Sequence, residues 1–140
     1  MPLSEFSIRV IDEFRANGGQ LTLSLGDFSL KDANMLLLNT TGARTGKQRT
    51  APMGYWTEGT DTYVMGIDAG APKHPQWYWN LLANPDVTVE LGAETRRARA
   101  VVIEGTERDR LIEKFIEQDP RLRLLRTMSR LVPVVRLGLL

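Results

Sequence analysis

The chain has 140 residues, which suits one domain, and we expect a single domain over residues 1–140. Hydrophobic residues make up 42% and charged residues 25%, a composition that excludes a disordered or collagen-like chain. The absence of cysteine excludes disulfides and cysteine-ligated metal centres, and the single histidine excludes a polyhistidine metal site. No apolar run reaches membrane-spanning length and no signal-peptide core is present, so we expect a cytoplasmic protein without a metal.

The N-terminal part of the chain predicts a helix and then strands. Ser4 caps a helix that runs to about Ala16, and Gly18-Gly19 ends it. Alternating leucines within residues 20–32 indicate a short strand. The uninterrupted apolar run Met35–Leu38 is typical of a strand buried on both faces.

The middle of the chain predicts a hairpin and a short helix. A turn with two glycines occupies Thr40–Lys47, and residues 49–57 and 61–67 are predicted to be the paired strands of a hairpin. A loop rich in Gly and Pro follows, Asp68–Pro75, and then a helix over about Pro75–Ala83.

The C-terminal part predicts two more strands, two helical segments and a last strand. The first strand contains the alternating residues Val87, Val89 and Leu91, and after a turn at Gly92 the second strand covers about Thr95–Glu104. Thr106 is expected to cap a helix, and Asp119-Pro120 to start a second helical segment. The last strand covers Val132–Leu139. Strands outnumber helices and short turns join them, so the predicted fold is mainly β with flanking α-helices, an antiparallel barrel or curved sheet.

The net charge of +1 conceals two basic clusters. Arg44, Lys47 and Arg49 lie in a stretch without acidic residues. The last twenty residues contain arginines and no acid: Arg121, Arg123, Arg126, Arg130 and Arg136. We interpret the C-terminal run as a solvated face, with weak peripheral membrane contact as an open alternative. Nucleic-acid binding is not expected, because no aromatic stacking platform accompanies the basic residues.

The first candidate site is the segment Thr40–Thr50, which follows the apolar strand directly. It is not a P-loop, because three residues rather than four separate its glycines and Gln48 follows Lys47. Glycine backbone N–H groups, threonine hydroxyls and the three basic side chains are nevertheless the donors that an oxyanion needs. A basic hairpin turn without a ligand is the alternative.

The second candidate site is the segment Gly66–Leu81, in which a Gly-rich loop leads into a helix with three consecutive aromatic residues. A strand end, a loop and a helix N-terminus form a cradle for a flat anionic ligand. The alternative is a structural role, with Trp77 and Leu81 in the core. His74 has no partners for a catalytic triad, so we interpret it as a hydrogen-bonded loop histidine.

In this order and spacing, the two segments resemble the deazaflavin-dependent nitroreductase family, whose members use coenzyme F420. The residues that carry the resemblance are Thr40-Thr41-Gly42 to Pro52, then Gly70-Ala71-Pro72 to Leu81 with Asn84-Pro85-Asp86-Val87, and Arg130 to Leu137. The resemblance spans about residues 34–138, and the joint pattern is far more specific than either motif alone.

The resemblance implies a split β-barrel of the flavin-reductase type that binds F420. The residues that would hold the phosphate and glutamate tail of F420 are Ala43, Arg44, Thr45, Gly46, Lys47, Arg49, Thr50, Ala51 and Pro52. Those that would lie along the deazaflavin ring are Met65, Gly66, Ile67 and Asp68, and those that would close the cradle are Gln76, Trp77, Tyr78, Trp79 and Asn80.

The implied activity is hydride transfer from reduced F420 to a quinone, nitroaromatic or enone, by a monomer or homodimer. Relatives often carry tyrosine at the position of Gly54 and in the segment that contains Leu122 and Leu124. We therefore expect a more apolar acceptor pocket here, with Tyr55, Trp56 or water as substitutes for the missing phenols. Two alternatives are an FMN-dependent split-barrel reductase and a non-catalytic F420-binding protein.

Overall fold

The computed structural model describes residues 4–25, 28–68 and 71–140, in which three α-helices flank a β-sheet. The helices are α1 (Glu5–Ala16), α2 (Gln76–Ala83) and α3 (Gly105–Gln118), with 3₁₀ helices at Leu30–Asp32 and Pro120–Arg126. No helix in the described ranges has both the length and the apolar character needed to span a membrane.

The strands of the described residues form two antiparallel sheets. A small sheet pairs β1 (Ser24–Leu25) with β2 (Phe28–Ser29). The other strands are β3 (Met35–Thr41), β4 (Gln48–Gly54), β5 (Trp56–Glu58), β6 (Asp61–Met65), β7 (Asp86–Leu91), β8 (Glu94–Ile103) and β9 (Val134–Leu139). They form a seven-stranded sheet in the order β4-β3-β7-β8-β9-β6-β5. The predicted fold class, a mainly β split barrel with flanking helices, is confirmed.

One stretch of chain supplies both edges of this sheet. The sequence predicts a single strand over residues 49–57, which is wrong: the chain bends at Tyr55, whose N–H donates to the carbonyl of Asn34 at 3.0 Å. Before the bend, β4 pairs with β3, and after it β5 pairs with β6. The bend therefore brings the two edges of the curled sheet together, which gives the sheet its barrel shape.

The apolar side chains form three clusters around the sheet. The leucines of β3 show the arrangement, because Leu36 and Leu38 point into the barrel while Leu37 packs under α1. All three are fully buried, so the predicted two-faced burial of this strand is confirmed. The third cluster lies between α3 and the outer face of the sheet, around Phe115 and Tyr63.

Most predicted helix signals agree with the structure, and one does not. Ser4 caps α1 and accepts from the N–H of Ser7, and Asp119 caps the second 3₁₀ helix. Thr106 does not cap α3, because the helix starts at Gly105 and is preceded by Glu104, which makes no side-chain cap. Gly105 adopts a φ of 67°, so the entry to α3 depends on glycine backbone freedom rather than on a hydroxyl. The turn after β3 also starts later than predicted, since β3 continues through Thr41.

The C-terminal arginines are only partly a solvated face. Arg121 pairs with Asp119 and Arg126 with Glu113, both at the surface. Arg130 contradicts the prediction, because it is half-buried and donates to the loop that follows β6.

Candidate functional site

The turn between β3 and β4 is closed by its own backbone. The N–H of Gly42 donates to the carbonyl of Lys47 at 2.8 Å, and the N–H of Gly46 donates to the carbonyl of Gly42 at 3.0 Å. Gly46 has a φ of 69°, which L side chains rarely adopt. The turn therefore holds its shape without using its basic side chains.

Those basic side chains are exposed and free. The side chains of Arg44, Lys47 and Arg49 make no hydrogen bond or ion pair among the described residues. Arg49 lies opposite Thr40 in the pairing of β3 with β4, so both residues are on the face of the strands that α2 covers. Three unpaired cations within six residues, next to a helix, are a site suited to an anion.

A buried amide connects the two segments that the sequence singles out. Asn80 of α2 is 1% exposed. Its Oδ1 accepts from the N–H of Ala43 at 3.1 Å and from Nε2 of Gln76 at 3.2 Å. Its Nδ2 donates to Oγ1 of the buried Thr40 at 3.1 Å. Asn80 thus lies beneath the basic turn and holds it to α2.

The neighbouring residues of β4 point alternately to two faces. Thr50 lies opposite Asn39, on the face toward α1, and its hydroxyl donates to the Asn39 side chain. Glu90 accepts from Asn39 at 2.8 Å and from Arg15 of α1, which fixes this face. Since β4 is an edge strand, the backbone groups of every second residue on its outer side are available to a ligand, among them the N–H of Thr50, whereas Ala51 faces β3 and Pro52 has only a carbonyl.

The loop after β6 begins in a tightly packed region. Met65 points into the cluster under α3, and the N–H of Gly66 donates to the carbonyl of Pro133 at 3.0 Å. A Cβ at Gly66 would lie 2.7 Å from Cγ of Pro133, so only glycine fits. Ile67 is half-buried, and Asp68 is exposed with a φ of 49°. Ala69 and Gly70 of this segment lie outside the described residues.

Helix α2 follows the loop and presents its aromatic residues on different sides. Trp77 and Tyr78 are half-buried against the barrel cluster, whereas Trp79 is 48% exposed. Gln76 is exposed at the first turn, which has no side-chain cap at Pro75. Helix amides without a cap attract negative charge, so this end of α2 suits the same kind of ligand as the basic turn.

Sequence reasoning missed Arg130 as a site residue. Its Nε donates to the carbonyl of Ala71 at 2.9 Å, its Nη2 to the carbonyl of Ile67 at 2.9 Å, and its Nη1 lies 3.0 Å from Nδ1 of His74. A hydrogen-bonded role for His74 is what the sequence predicts, but the partner comes from 56 positions further along the chain. A cluster of arginines gives no local signal that one of them points inward.

The two candidate catalytic side chains, Tyr55 and Trp56, point in different directions. Tyr55 packs against the barrel cluster. Trp56 packs against the cluster under α3, with its ring centroid 6.4 Å from that of Phe115. Since Trp56 packs under α3 and Tyr55 packs at the barrel, Tyr55 is the better of the two candidates.

Relatives of this chain are found by sequence and by structure. The family model described as F420H(2)-dependent quinone reductase matches residues 9–137. One relative is Rv3178 of Mycobacterium tuberculosis, which is named as an F420H(2)-dependent quinone reductase. It is 37% identical over 89 residues, which are 64% of this chain and 75% of the relative. A solved F420-H2 dependent reductase (FDR-A) is similar at a TM-score of 0.66 and 34% identity, over 74% of this chain and 93% of its own. A structure described as a domain-swapped dimer is similar at a TM-score of 0.68 and 31% identity, over 94% of this chain and 96% of its own.

Proposed function

The chain belongs to the F420H(2)-dependent quinone reductase family, and on this premise we propose that it is a single-domain oxidoreductase that uses reduced F420 to reduce a quinone, nitroaromatic or enone. The observation that carries the proposal is the contact of Asn80 with Thr40 and Ala43, because it joins a basic turn to an aromatic helix in one site. The FMN-dependent alternative is not favoured, since the family and its named members use F420.

The tail of the coenzyme would lie on the basic turn. Arg44, Lys47 and Arg49 supply free cationic donors, and the backbone of the turn and the open edge of β4 supply N–H groups. Three charge-assisted hydrogen bonds of about 1.5–3 kcal/mol each give roughly 5–9 kcal/mol. Micromolar affinity needs about 8 kcal/mol, so contacts with the ring have to add to those with the tail.

The flat ring would lie along the loop after β6, from Gly66 to Asp68, with α2 at its side. Bound reduced F420 supplies the hydride, so the side chains of this chain have to orient the ring, exclude water and stabilise charge on the acceptor. Tyr55 is the side chain that we assign to hydrogen bonding with the acceptor. Leu122 is buried under α3, so it offers no polar group at this place.

We expect the purified protein to quench F420 fluorescence on saturable binding and to oxidise reduced F420 when menadione is added. Tyr55→Phe should lower turnover more than F420 affinity, because the phenol hydroxyl is assigned to the acceptor and not to the coenzyme. Absorbance of the deazaflavin follows turnover. Saturable binding without oxidation by menadione, nitroaromatics or enones would favour the non-catalytic alternative, and a protein that is yellow with FMN would favour the flavin alternative.

We propose further that the protein forms a homodimer in the cytoplasm, supported by its likeness over nearly all of its length to a chain described as a domain-swapped dimer. Light scattering should give twice the mass of one chain at micromolar concentration, and the mass of one chain would contradict the dimer. A peripheral membrane contact has less support, because Arg121 and Arg126 are ion-paired and offer less charge to an anionic surface.

A further inference from the structure

Arg130 is held in an arrangement that ion pairing does not explain. All three of its nitrogens are engaged, by two backbone carbonyls and a histidine ring, and no carboxylate pairs with it among the described residues. Withdrawing a charge from water without a counterion is costly, and a carboxylate would be the stabilising partner. The contacts instead all converge on one loop, from Ile67 to His74.

The loop is therefore fixed at both ends by the segment that precedes β9. At its start, the N–H of Gly66 donates to the carbonyl of Pro133. The ring of Pro133 fills the space that a side chain at position 66 would need. Further along, Arg130 holds the carbonyls of Ile67 and Ala71. Arg108 of α3 donates twice to the carbonyl of Val132, at 3.0 and 2.7 Å, and so anchors this segment in turn.

We infer that Arg130 is a positioning residue for the coenzyme: through the carbonyls of Ile67 and Ala71 and the ring of His74, it holds the described part of the loop after β6 in the conformation that receives the deazaflavin ring. The inference rests on the proposed placement of F420. Arg130 touches neither the ring nor the acceptor in this account. It acts through the loop, and its contact with His74 makes the arrangement depend on pH.

The contact requires a neutral His74. A guanidinium only donates, so Nδ1 of His74 must be an acceptor and the ring proton is on Nε2. The groups packed against the imidazole are Arg130, Tyr78 and Trp79, with ring centroids at 5.0 and 5.5 Å for the two aromatic side chains. Burial, and then the nearby Arg130 charge, lower the pKa of His74. Protonation would place two cations in contact and release the loop.

The sign of the pH effect follows from this lowered pKa. A histidine that is harder to protonate in the folded state contributes stability above its unfolded pKa of about 6.5, and that stability is lost as the pH falls through the lower folded pKa. The loop should therefore loosen in mild acid and stay closed at neutral pH.

The test compares Arg130→Gln, Arg130→Lys and His74→Gln with the control Arg126→Gln, which alters an exposed arginine of the same segment. F420 affinity and turnover with menadione are measured at several values from about pH 5 to 8. Amide hydrogen exchange of residues 67–74 is measured without coenzyme. We expect Arg130→Gln to lower turnover by about tenfold to a hundredfold and to speed exchange, because small misplacements of reactants have effects of this size.

Arg130→Lys should be intermediate, since it keeps the charge and loses the fork of donors. His74→Gln provides an amide oxygen that accepts from Arg130 and does not titrate, so its F420 affinity should fall less in mild acid than that of the wild type. Faster exchange in Arg130→Gln with unchanged affinity and turnover would overturn the inference and leave the proposed function intact. The same holds if His74→Gln has the pH profile of the wild type. Failure of the wild type to bind F420 would overturn both.

Discussion

Replacing Asn80 by alanine is expected to lower the free energy of unfolding by about 2–4 kcal/mol, because it removes the hydrogen bonds of a buried side chain and leaves the buried hydroxyl of Thr40 without its partner. The N–H of Ala43 and the hydroxyl of Thr40 both lose their bond to the Asn80 side chain, and Thr40 is 1% exposed. F420 affinity should fall as well, since the basic turn is then no longer held to α2. Urea denaturation and fluorescence titration measure the two effects.

Two further variants separate support of the turn from general stability. Gln76→Ala removes one hydrogen bond to the same Oδ1 from an exposed side chain, and should change stability by less than about 1 kcal/mol. Asn80→Asp keeps an acceptor for Ala43 and lets the Thr40 hydroxyl donate, but it puts a negative charge under the turn. It should therefore bind F420 more weakly than its stability alone would predict. A normal stability and a normal affinity for Asn80→Ala would contradict the assigned role.

Replacing Arg44 and Arg49 together by alanine is expected to weaken F420 binding by at least about a hundredfold, because each lost charge-assisted hydrogen bond contributes about 1.5 kcal/mol or more. Stability should be almost unchanged, since neither side chain has a partner among the described residues. Affinity of the wild type should fall with rising salt, and the double variant should show a smaller dependence. FMN binding, if any, should change much less.

The matched control for this double variant is Arg97→Ala. Arg97 is an exposed arginine of β8, and β3 and β7 lie between its strand and the β4 edge. If Arg97→Ala weakened F420 binding as much as Arg44→Ala with Arg49→Ala, the effect would come from net charge and not from the turn. If the double variant bound F420 with unaltered affinity, the basic turn would not be part of the F420 site.

The fold was largely predictable because its signals are local. The run Leu36–Leu38 has no polar position, and such a run suits a strand with barrel on one side and helix on the other. The break of the 48–58 stretch was not predictable from the same kind of signal. The chain bends at Tyr55 because β4 pairs with β3 and β5 pairs with β6, and these two partner strands are distant from each other in sequence. No residue in the stretch forces the bend by itself. The hydroxyl of Thr106 predicts a helix cap that the structure lacks, because Gly105 supplies the backbone geometry at the start of α3.

The candidate site was predictable as two segments, but not as one connected structure. Asn80 belongs to the second segment, yet nothing in its neighbourhood in sequence indicates that it lies buried under Thr40 of the first. The basic run around Arg130 predicts surface charge, and only the return of the chain to the β6 edge turns its guanidinium toward Ile67 and His74. Which side chain of a charged run points inward depends on tertiary packing, and sequence spacing does not encode it.

The central claim is that F420 lies across the basic turn, the edge of β4 and the loop after β6. Amide hydrogen exchange of the wild-type protein with and without saturating F420 tests it most directly, because the method reports position without relying on a variant. The account predicts slower exchange in residues 42–52 and 66–68 and at the start of α2, with little change in β7, β8 and the outer turns of α3. Protection confined to α3 and residues 125–131, or protection nowhere, would contradict it.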